Sequence, residues 1–321
     1  MKKYRENGKN SISINGKEQS GMKISEDTRR KIKYESTAWA FVLPYLLTFS
    51  LFTVLPVIIS IFFSFTDFNM LQMPHFIGLQ NYIRLFLQDD IFIKSIGNTF
   101  ILALITGPLG YILCLLFAWM INELRPVARA IVTFVFYAPS ISGSMYLVWR
   151  AFFSGDAYGY LNGLLMKLGL ISSPIIWLRD EKYILGIVAI VALWSSLGTS
   201  FLTFIAGFQG VDKSYYEASA VDGVTNRWQE LWYITLPLMR PQMLLSAVLS
   251  ITASFGVGAV VTQLAGFPST NYAAHTMINH LQDYGTTKYE LGYASAIATI
   301  LFVVMVLSNF VIRKVIAKVG T

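Results

Sequence analysis

The chain has 321 residues, of which 55% are hydrophobic and 13% are charged, with a formal net charge of +7 and one cysteine. Because soluble domains carry about 25% charged residues, this composition excludes an ordinary soluble domain and predicts a membrane protein. The single cysteine, Cys114, excludes an internal disulfide and a multi-thiolate metal site.

Residues 1–37 form a basic, polar tail that we predict to be disordered. Residues 38–321 contain six apolar runs that reach the roughly 20 residues an α-helix needs to cross a bilayer. Prolines occur in three of these runs, but membrane helices tolerate them because neighbouring groups satisfy the freed carbonyls. We therefore predict an all-α membrane protein with six transmembrane helices. The predicted spans are Ala38–Phe65, Thr99–Ile121, Ala128–Phe152, Tyr183–Phe208, Met243–Leu264 and Tyr293–Ile312.

The basic residues predict the orientation of these spans. Eighteen Lys and Arg residues lie on the side that holds both termini, and seven lie on the other side. Since cytoplasmic loops carry the excess of Lys and Arg, both termini and the loop at residues 209–242 are predicted to be cytoplasmic. The positive charge is thus an orientation signal, and we do not expect nucleic acid as a partner.

Several kinds of chemistry have no signal in the sequence. It contains no GxxxxGK[ST] phosphate loop, no HExxH and no GxSxG motif, so neither ATP binding of the P-loop type nor these catalytic sites are expected. The predicted spans contain no Asp, Glu, Lys or His, which argues against coupling to a proton or sodium gradient. We interpret His275 and His280 as ordinary residues of a polar external loop and expect no metal site.

The third, fourth and fifth spans carry hydroxyl and aromatic side chains. Two interpretations remain open: these residues let helices pack closely, or they line an uncharged pathway in which aromatic faces stack on sugar rings. The candidate pathway residues are Tyr137, Ser140, Ser144, Trp149, Trp194, Ser195, Thr199, Thr252 and Ser254.

The cytoplasmic loop between the fourth and fifth spans predicts two short helices. Ser214 and Glu217 have capping-box spacing, which predicts a helix that begins at Ser214, and Gly223 suits its end. Thr225 is the predicted cap of a second helix, which Pro237 limits. The small side chains at 218–220 allow another surface to approach the first helix closely.

This loop resembles the EAA motif of the binding-protein-dependent ABC importer permeases. The resemblance lies in Glu217-Ala218-Ser219, then Gly223, then the segment Ile234-Thr235-Leu236-Pro237. Two departures are present: Ser219 replaces an alanine, and ten residues separate Gly223 from Ile234, one more than is usual in the family.

Other segments extend the resemblance from about Ala38 to the C-terminus. Residues 76–82 resemble the family's external FxGLxNY segment, and residues 292–296 match its GYASA. Trp228-Gln229 and the ITLP end of the loop are similar to the carbohydrate-uptake branch, which includes maltose and multiple-sugar permeases. The sequence at 263–268, QLAGFP, stands in place of that branch's LTGGGP.

The resemblance implies a permease subunit in the bacterial cytoplasmic (inner) membrane that imports a sugar or oligosaccharide and is not itself an enzyme. It implies a second homologous permease, an extracytoplasmic solute-binding protein, and two cytoplasmic ATPase subunits that use ATP and Mg; no cofactor is expected on this chain. The loop would be a coupling helix that transmits ATPase motion to the spans. The implied coupling residues are Tyr216, Glu217, Ala218, Ser219, Ala220, Asp222, Gly223, Ile234, Leu236 and Pro237.

Alternatives from other classes remain at this point. One is an ion-coupled secondary carrier, which the uncharged span interiors argue against. Another is an importer permease for a non-sugar polar solute, and a third is a membrane scaffold without transport activity.

Overall fold

The computed structural model describes residues 26–143 and 145–316. The chain divides after Val57 into two units, Met1–Val57 and Ile58–Thr321. The first described helix begins at Glu26, so the end of the predicted polar tail belongs to a helix. The rest of that tail, residues 1–25, lies outside the described residues.

The described part of the chain is built of helices, and its β pairing is an isolated bridge between Thr66 and Phe76. The predicted all-α membrane fold is therefore confirmed. The α-helices are α1 Glu26–Phe49, α2 Leu55–Phe63, α3 Gln80–Leu87, α4 Asp90–Leu104, α5 Gly110–Asn122, α6 Pro126–Ile141, α7 Met145–Phe152, α8 Tyr160–Lys167, α9 Glu181–Ser195, α10 Thr199–Gln209, α11 Lys213–Val221, α12 Arg227–Glu230, α13 Leu236–Leu238, α14 Arg240–Phe255, α15 Gly258–Ala265, α16 Met277–Gln282 and α17 Leu291–Ile316. Shorter π-helical turns occupy Ser50–Val54, Ile105–Leu109, Leu231–Thr235 and Asp283–Thr287, and a 3₁₀ turn occupies Thr270–Tyr272.

Among the described residues, four helical stretches are long and apolar enough to cross a bilayer. Two bent helix pairs bring the number to six if each pair is counted as one span. The four stretches are Trp39–Phe63, Asp90–Asn122, Glu181–Gln209 and Leu291–Lys314, and the bent pairs are Pro126–Ile141 with Met145–Phe152 and Arg227–Leu238 with Arg240–Phe255.

The predicted third and fifth spans are wrong as single helices. The axes of α6 and α7 differ by 86°, because Ser142 adopts extended backbone angles just after Pro139 and ends α6. The fifth span breaks between α14 and α15 at Gly256, whose backbone leaves helical geometry. Pro108 has a milder effect: lacking an N–H, it lies in the π-helical turn that joins α4 to α5.

Three apolar clusters form the core of the unit Ile58–Thr321. One joins α9 to α15 and the loop after it, a second joins α3 and α4 to α14 and α17, and a third joins α5 and α10 to the loop at 209–242. Fully buried members include Val188 and Val261 in the first cluster, Phe92 and Ile297 in the second, and Phe201 and Phe204 in the third.

The expectation that His275 and His280 are ordinary residues of a polar loop is wrong. Both side chains are about 1% exposed, and their rings meet edge to face with centroids 5.5 Å apart. His280 Nε2 lies 3.0 Å from Asp89 Oδ2, which also accepts a 2.7 Å hydrogen bond from the Tyr293 hydroxyl. The sequence pattern missed this burial because partners far away in the chain create it. No cluster of His, Cys, Asp or Glu suited to a metal ion occurs among the described residues.

Candidate functional site

We call residues 209–242 the coupling loop. Its two short helices begin at capping residues that differ from the predicted ones. Helix α11 begins at Lys213, where the Asp212 side chain accepts a 2.9 Å hydrogen bond from the Ser214 amide. This bond lowers the pKa of the Asp212 carboxyl. The predicted Ser214–Glu217 capping box is therefore wrong, because an acidic residue two positions before Ser214 already satisfies the free amide.

The second helix of the loop is capped by Asn226, and the predicted cap at Thr225 is wrong. The Asn226 side chain accepts a 3.0 Å hydrogen bond from the Trp228 amide. Thr225 instead donates its backbone N–H to Gln229 at 3.4 Å. The helical segment then runs through a π-helical turn to Leu238, one residue past the predicted limit at Pro237, and an 82° bend separates it from α14.

Gly223 separates the two helices, as predicted. Its φ of +91° lies in the region that favours glycine, and no atom stands within 4 Å of the position a Cβ would take. The next amide, Val224 N–H, donates to Ser219 O at 3.0 Å and closes the end of α11. This is the 6→1 bond of a Schellman-type helix end.

Buried side chains seat the loop on the transmembrane helices. Leu231, Leu236 and Met239 are buried in the cluster that holds Cys114 and Phe204. A polar contact adds to this seat, because the hydroxyls of Tyr216 and Thr235 lie 3.0 Å apart. The loop is therefore packed directly against α5 and α10.

The opposite face of α11 is open. Glu217, Ala218, Ala220 and Asp222 are exposed, so small side chains surround the Glu217 carboxylate on a free surface. Ser219 is buried and donates from Oγ to Tyr216 O at 2.8 Å, which explains why a small hydroxyl residue fits the third motif position. Ile234 and Pro237, in the second half of the loop, are half-buried.

A cavity of about 430 Å³ lies among α6, α9, α10 and α14. Hydroxyl-bearing residues, glycines and apolar side chains such as Leu249, Val257 and Val260 line it, and its lining residues include no charged side chain. Its hydroxyl-bearing lining residues are Thr106, Ser140, Ser195, Ser196, Thr199, Ser200, Ser250, Thr252 and Ser254.

Five of the predicted pathway residues line this cavity, namely Ser140, Ser195, Thr199, Thr252 and Ser254. Three do not line it. Trp149 and Trp194 pack against each other with ring centroids 5.3 Å apart, and half-buried Tyr137 accepts a 2.7 Å hydrogen bond at its carbonyl from Ser140 Oγ. Ser144 lies outside the described residues.

Four hydroxyl residues of the cavity were absent from the predicted pathway. Ser196 and Ser200 belong to the same run as Ser195 and Thr199, so that run was an available signal. Ser250 falls four residues before Ser254, on the same helix face. Thr106 gave no such signal; it lines the cavity from the π-helical turn Ile105–Leu109.

Close helix packing accompanies the cavity, as the packing interpretation of the polar residues predicted. A Cβ at Gly110 would stand only 2.7 Å from Ser196 Oγ, which requires glycine where α5 meets the fourth span. The hydroxyls of Ser195 and Ser196 donate to carbonyls of their own helix, Val191 O and Leu193 O.

Comparisons with known proteins show which family this chain resembles. The sequence profile of the family described as "Binding-protein-dependent transport system inner membrane component" matches residues 108–320. A probable ABC transporter permease protein of Bacillus subtilis, YesP, is 30% identical over 292 residues, covering 89% of this chain and 92% of its own length.

Two further similarities extend the comparison. The lactose transport system permease protein LacF of Rhizobium radiobacter is 26% identical, covering 85% of this chain and 91% of its own length. One chain of a bacterial alginate ABC transporter, solved in complex with a periplasmic protein that holds an alginate pentasaccharide, is 25% identical with a TM-score of 0.72. That match covers 92% of this chain and 100% of the solved one.

Because the profile matches more than half of the chain, and a relative of this identity matches most of it, the chain belongs to the family of binding-protein-dependent transport system inner membrane components.

Proposed function

We propose that this chain, a permease subunit of an ATP-driven, binding-protein-dependent importer, carries a saccharide through the cavity of about 430 Å³. The observation that carries the proposal is the chemistry of the cavity lining, which presents hydroxyls and no charged side chain. Hydroxyl groups both donate and accept hydrogen bonds, as sugar hydroxyls do. The transport of lactose and of alginate by similar proteins supports a saccharide as the solute class.

The loop at 209–242 is the proposed coupling element. Its exposed face carries Glu217 among small side chains, and its buried face contacts α5 and α10. A separate ATPase subunit that binds ATP and Mg would dock on the exposed face. Closure of two such subunits would push the loop and change the packing around the cavity.

The remaining partners follow from the same assignment. A second, homologous permease would complete the pathway, since transport sites of this kind lie near the midplane between repeated units. An extracytoplasmic binding protein would deliver the solute, and the solved alginate complex supports such a partner. The excess of basic residues favours cytoplasmic termini and a cytoplasmic coupling loop.

The assignment is tested in vesicles that contain this chain, its second permease, the ATPase and the binding protein. Lactose and alginate oligosaccharides are the probes, and uptake is measured with and without ATP. We expect uptake of at least one saccharide to require ATP and to survive a protonophore. Uptake that survives ATP depletion and collapses with the protonophore would establish the ion-coupled carrier instead.

Glu217→Lys tests the coupling element. We expect the variant to insert in the membrane but to lose co-purification with the ATPase, because the exposed acidic group is reversed on the docking face. Asp156→Lys, also an exposed carboxylate, is the control and is expected to keep the ATPase. Full co-purification and uptake with Glu217→Lys would refute the assignment of this face.

The alternative solute class is a non-sugar polar compound. Glycerol and glycine betaine, added to the same vesicles, distinguish it. ATP-dependent uptake of either one in preference to both saccharides would replace the saccharide proposal.

A further inference from the structure

Two contacts tie the coupling loop to a transmembrane helix that is not its neighbour in the chain. Arg227 Nη2 lies 3.2 Å from Glu123 Oε2, at the end of α5. The rings of Trp119 and Trp228 lie 4.6 Å apart at their centroids. The backbone of the loop leads only to α10 and α14, so these contacts reach α5 across space.

The four residues form two facing pairs, one on α5 and one on α12. Trp119 and Glu123 are four positions apart, which places them on one face of α5. Arg227 and Trp228 are the first two residues of α12, directly after the Asn226 cap that orients them. We call this set of four residues the brace.

The brace lies beside an open space, and its Trp119 also packs against the third apolar cluster. A cavity of about 610 Å³ lies between the loop and α5, with Trp119, Glu123, Lys213, Tyr216 and Arg227 among its lining residues. The side chains of Arg227 and Glu123 are 64% and 45% exposed. Since exposed ion pairs contribute little to stability, a variant of this pair is not expected to unfold the protein, so its effect on transmission can be measured separately from folding.

The other end of α5 adjoins the solute cavity. The helix begins at Gly110, and a Cβ there would stand 2.7 Å from Ser196 Oγ in the cavity lining. Thirteen residues of α-helix span about 20 Å, so a displacement at Glu123 is carried along one rigid element to Gly110.

We propose that the brace transmits the movement of the coupling loop to α5, and through α5 to the solute cavity. The inference rests on the coupling role proposed above for the loop. It adds a polar and an aromatic contact to the apolar packing between the loop and α5.

Cys114 provides a reporter, because it is the only cysteine of the chain and is buried on α5, with Sγ 3.7 Å from Ser196 O. The complete importer is treated with N-ethylmaleimide, without nucleotide and with ATP plus vanadate. The extent of Cys114 labelling is read by mass spectrometry of this chain. We expect the two states to differ by about fivefold or more, the scale of an ordinary coupling between sites.

The charge-reversing variant Glu123→Arg should abolish the nucleotide dependence of labelling while the ATPase still co-purifies. The double variant Glu123→Arg with Arg227→Glu, which restores an attractive pair, should recover it. Glu230→Gln is the control, because it removes the other partner of Arg227, at 2.8 Å, and leaves the brace in place.

Labelling that does not depend on nucleotide in the wild type, or a normal dependence in Glu123→Arg, would overturn the proposal. The outcomes also separate it from the coupling role of the loop. If Glu217→Lys abolishes the nucleotide dependence and Glu123→Arg does not, only the brace is wrong. If Glu217→Lys retains both the ATPase and the nucleotide dependence, the coupling role itself is wrong.

Discussion

Ser200 and Ser246 exchange hydrogen bonds between two transmembrane helices. Ser200 Oγ donates to Ser246 O at 3.2 Å, and Ser246 Oγ donates to Ser200 O at 3.3 Å. Both residues are buried, at 5% and 0% exposure. The helices they join, α10 and α14, are the ones that the coupling loop connects, so the two helices that flank the loop are joined beside the cavity.

Gly223→Pro is expected to abolish uptake without removing the chain from the membrane. Proline holds φ near −65°, and Gly223 has a φ of +91°, so the variant cannot form the turn between α11 and α12. Gly223→Ala should show an intermediate loss, since a left-handed alanine costs roughly 1–2 kcal/mol. Uptake normalised to the amount of chain in the vesicles is the measurement.

Gly97→Ala is the control for the Gly223 variants, because this glycine lies within α4 and no atom stands within 4 Å of its Cβ position. It should behave as wild type. Normal uptake by Gly223→Pro would mean that the turn does not position the coupling loop.

Thr252→Val is expected to weaken the apparent affinity for the transported saccharide. The change keeps the shape of the side chain and removes a hydroxyl from the cavity lining. One neutral hydrogen bond contributes about 0.5–1.5 kcal/mol, so KM for uptake should rise by up to about tenfold.

Thr203→Val is the matched control for Thr252→Val. Both hydroxyls donate to a carbonyl four residues earlier, at 2.9 Å, but Thr203 is not among the lining residues of the cavity. An equal change of KM in both variants would show that the effect comes from the helix and not from the cavity.

Asn98→Ala is expected to destabilise the fold by roughly 2–3 kcal/mol, because it leaves buried carbonyls without a donor. The Asn98 side chain is 7% exposed and donates from Nδ2 to Ala273 O at 3.1 Å and to His275 O at 3.0 Å. Chemical unfolding in detergent measures the free energy of unfolding. Asn309→Ala is the control, since Asn309 bonds only within its own helix, to Met305 O, and should lose far less.

The stability of the protein is expected to fall as the pH drops from about 6.5 towards 4. Burial, aided by the neighbouring His280, lowers the pKa of His275 from 6.5 to about 4. Between these values the unfolded chain binds a proton that the folded chain does not, so acidification favours unfolding. The total effect is on the order of 3 kcal/mol.

His275→Phe should remove the pH dependence in this window, whereas His75→Gln, at an exposed position, should leave it unchanged. This pH range differs from the range in which Asp89 affects the stability of the protein. Burial raises the pKa of the Asp89 carboxyl, but hydrogen bonds from His280, Phe92 N–H and Tyr293 outweigh this and hold it well below its usual range. Asp89 therefore loses its contribution only below about pH 4. A slope between pH 6.5 and 4 that persists in His275→Phe would contradict the assignment.

Much of the coupling loop could be predicted from the sequence. Gly223 ends a helix as expected, and the exposed Glu217 lies among small side chains as expected. The caps predicted at Ser214 and Thr225 were wrong by one or two positions, because the side chains of Asp212 and Asn226 accept the first amide hydrogen bonds, from Ser214 and Trp228. The contact of Arg227 with Glu123 joins residues far apart in the chain and has no local signal.

The sequence by itself determined the membrane class, the apolar stretches that are candidates to span a bilayer and the position of the polar loop in the chain, since these depend on local hydropathy and charge. Only the tertiary structure decided which hydroxyls share a cavity, where the third and fifth spans break, and that His275 is buried. The physical reason is that the facing and burial of a side chain depend on groups from distant segments, as when Thr106 and Ser254 line one cavity, or when Asn98 takes its partners from residues 273 and 275.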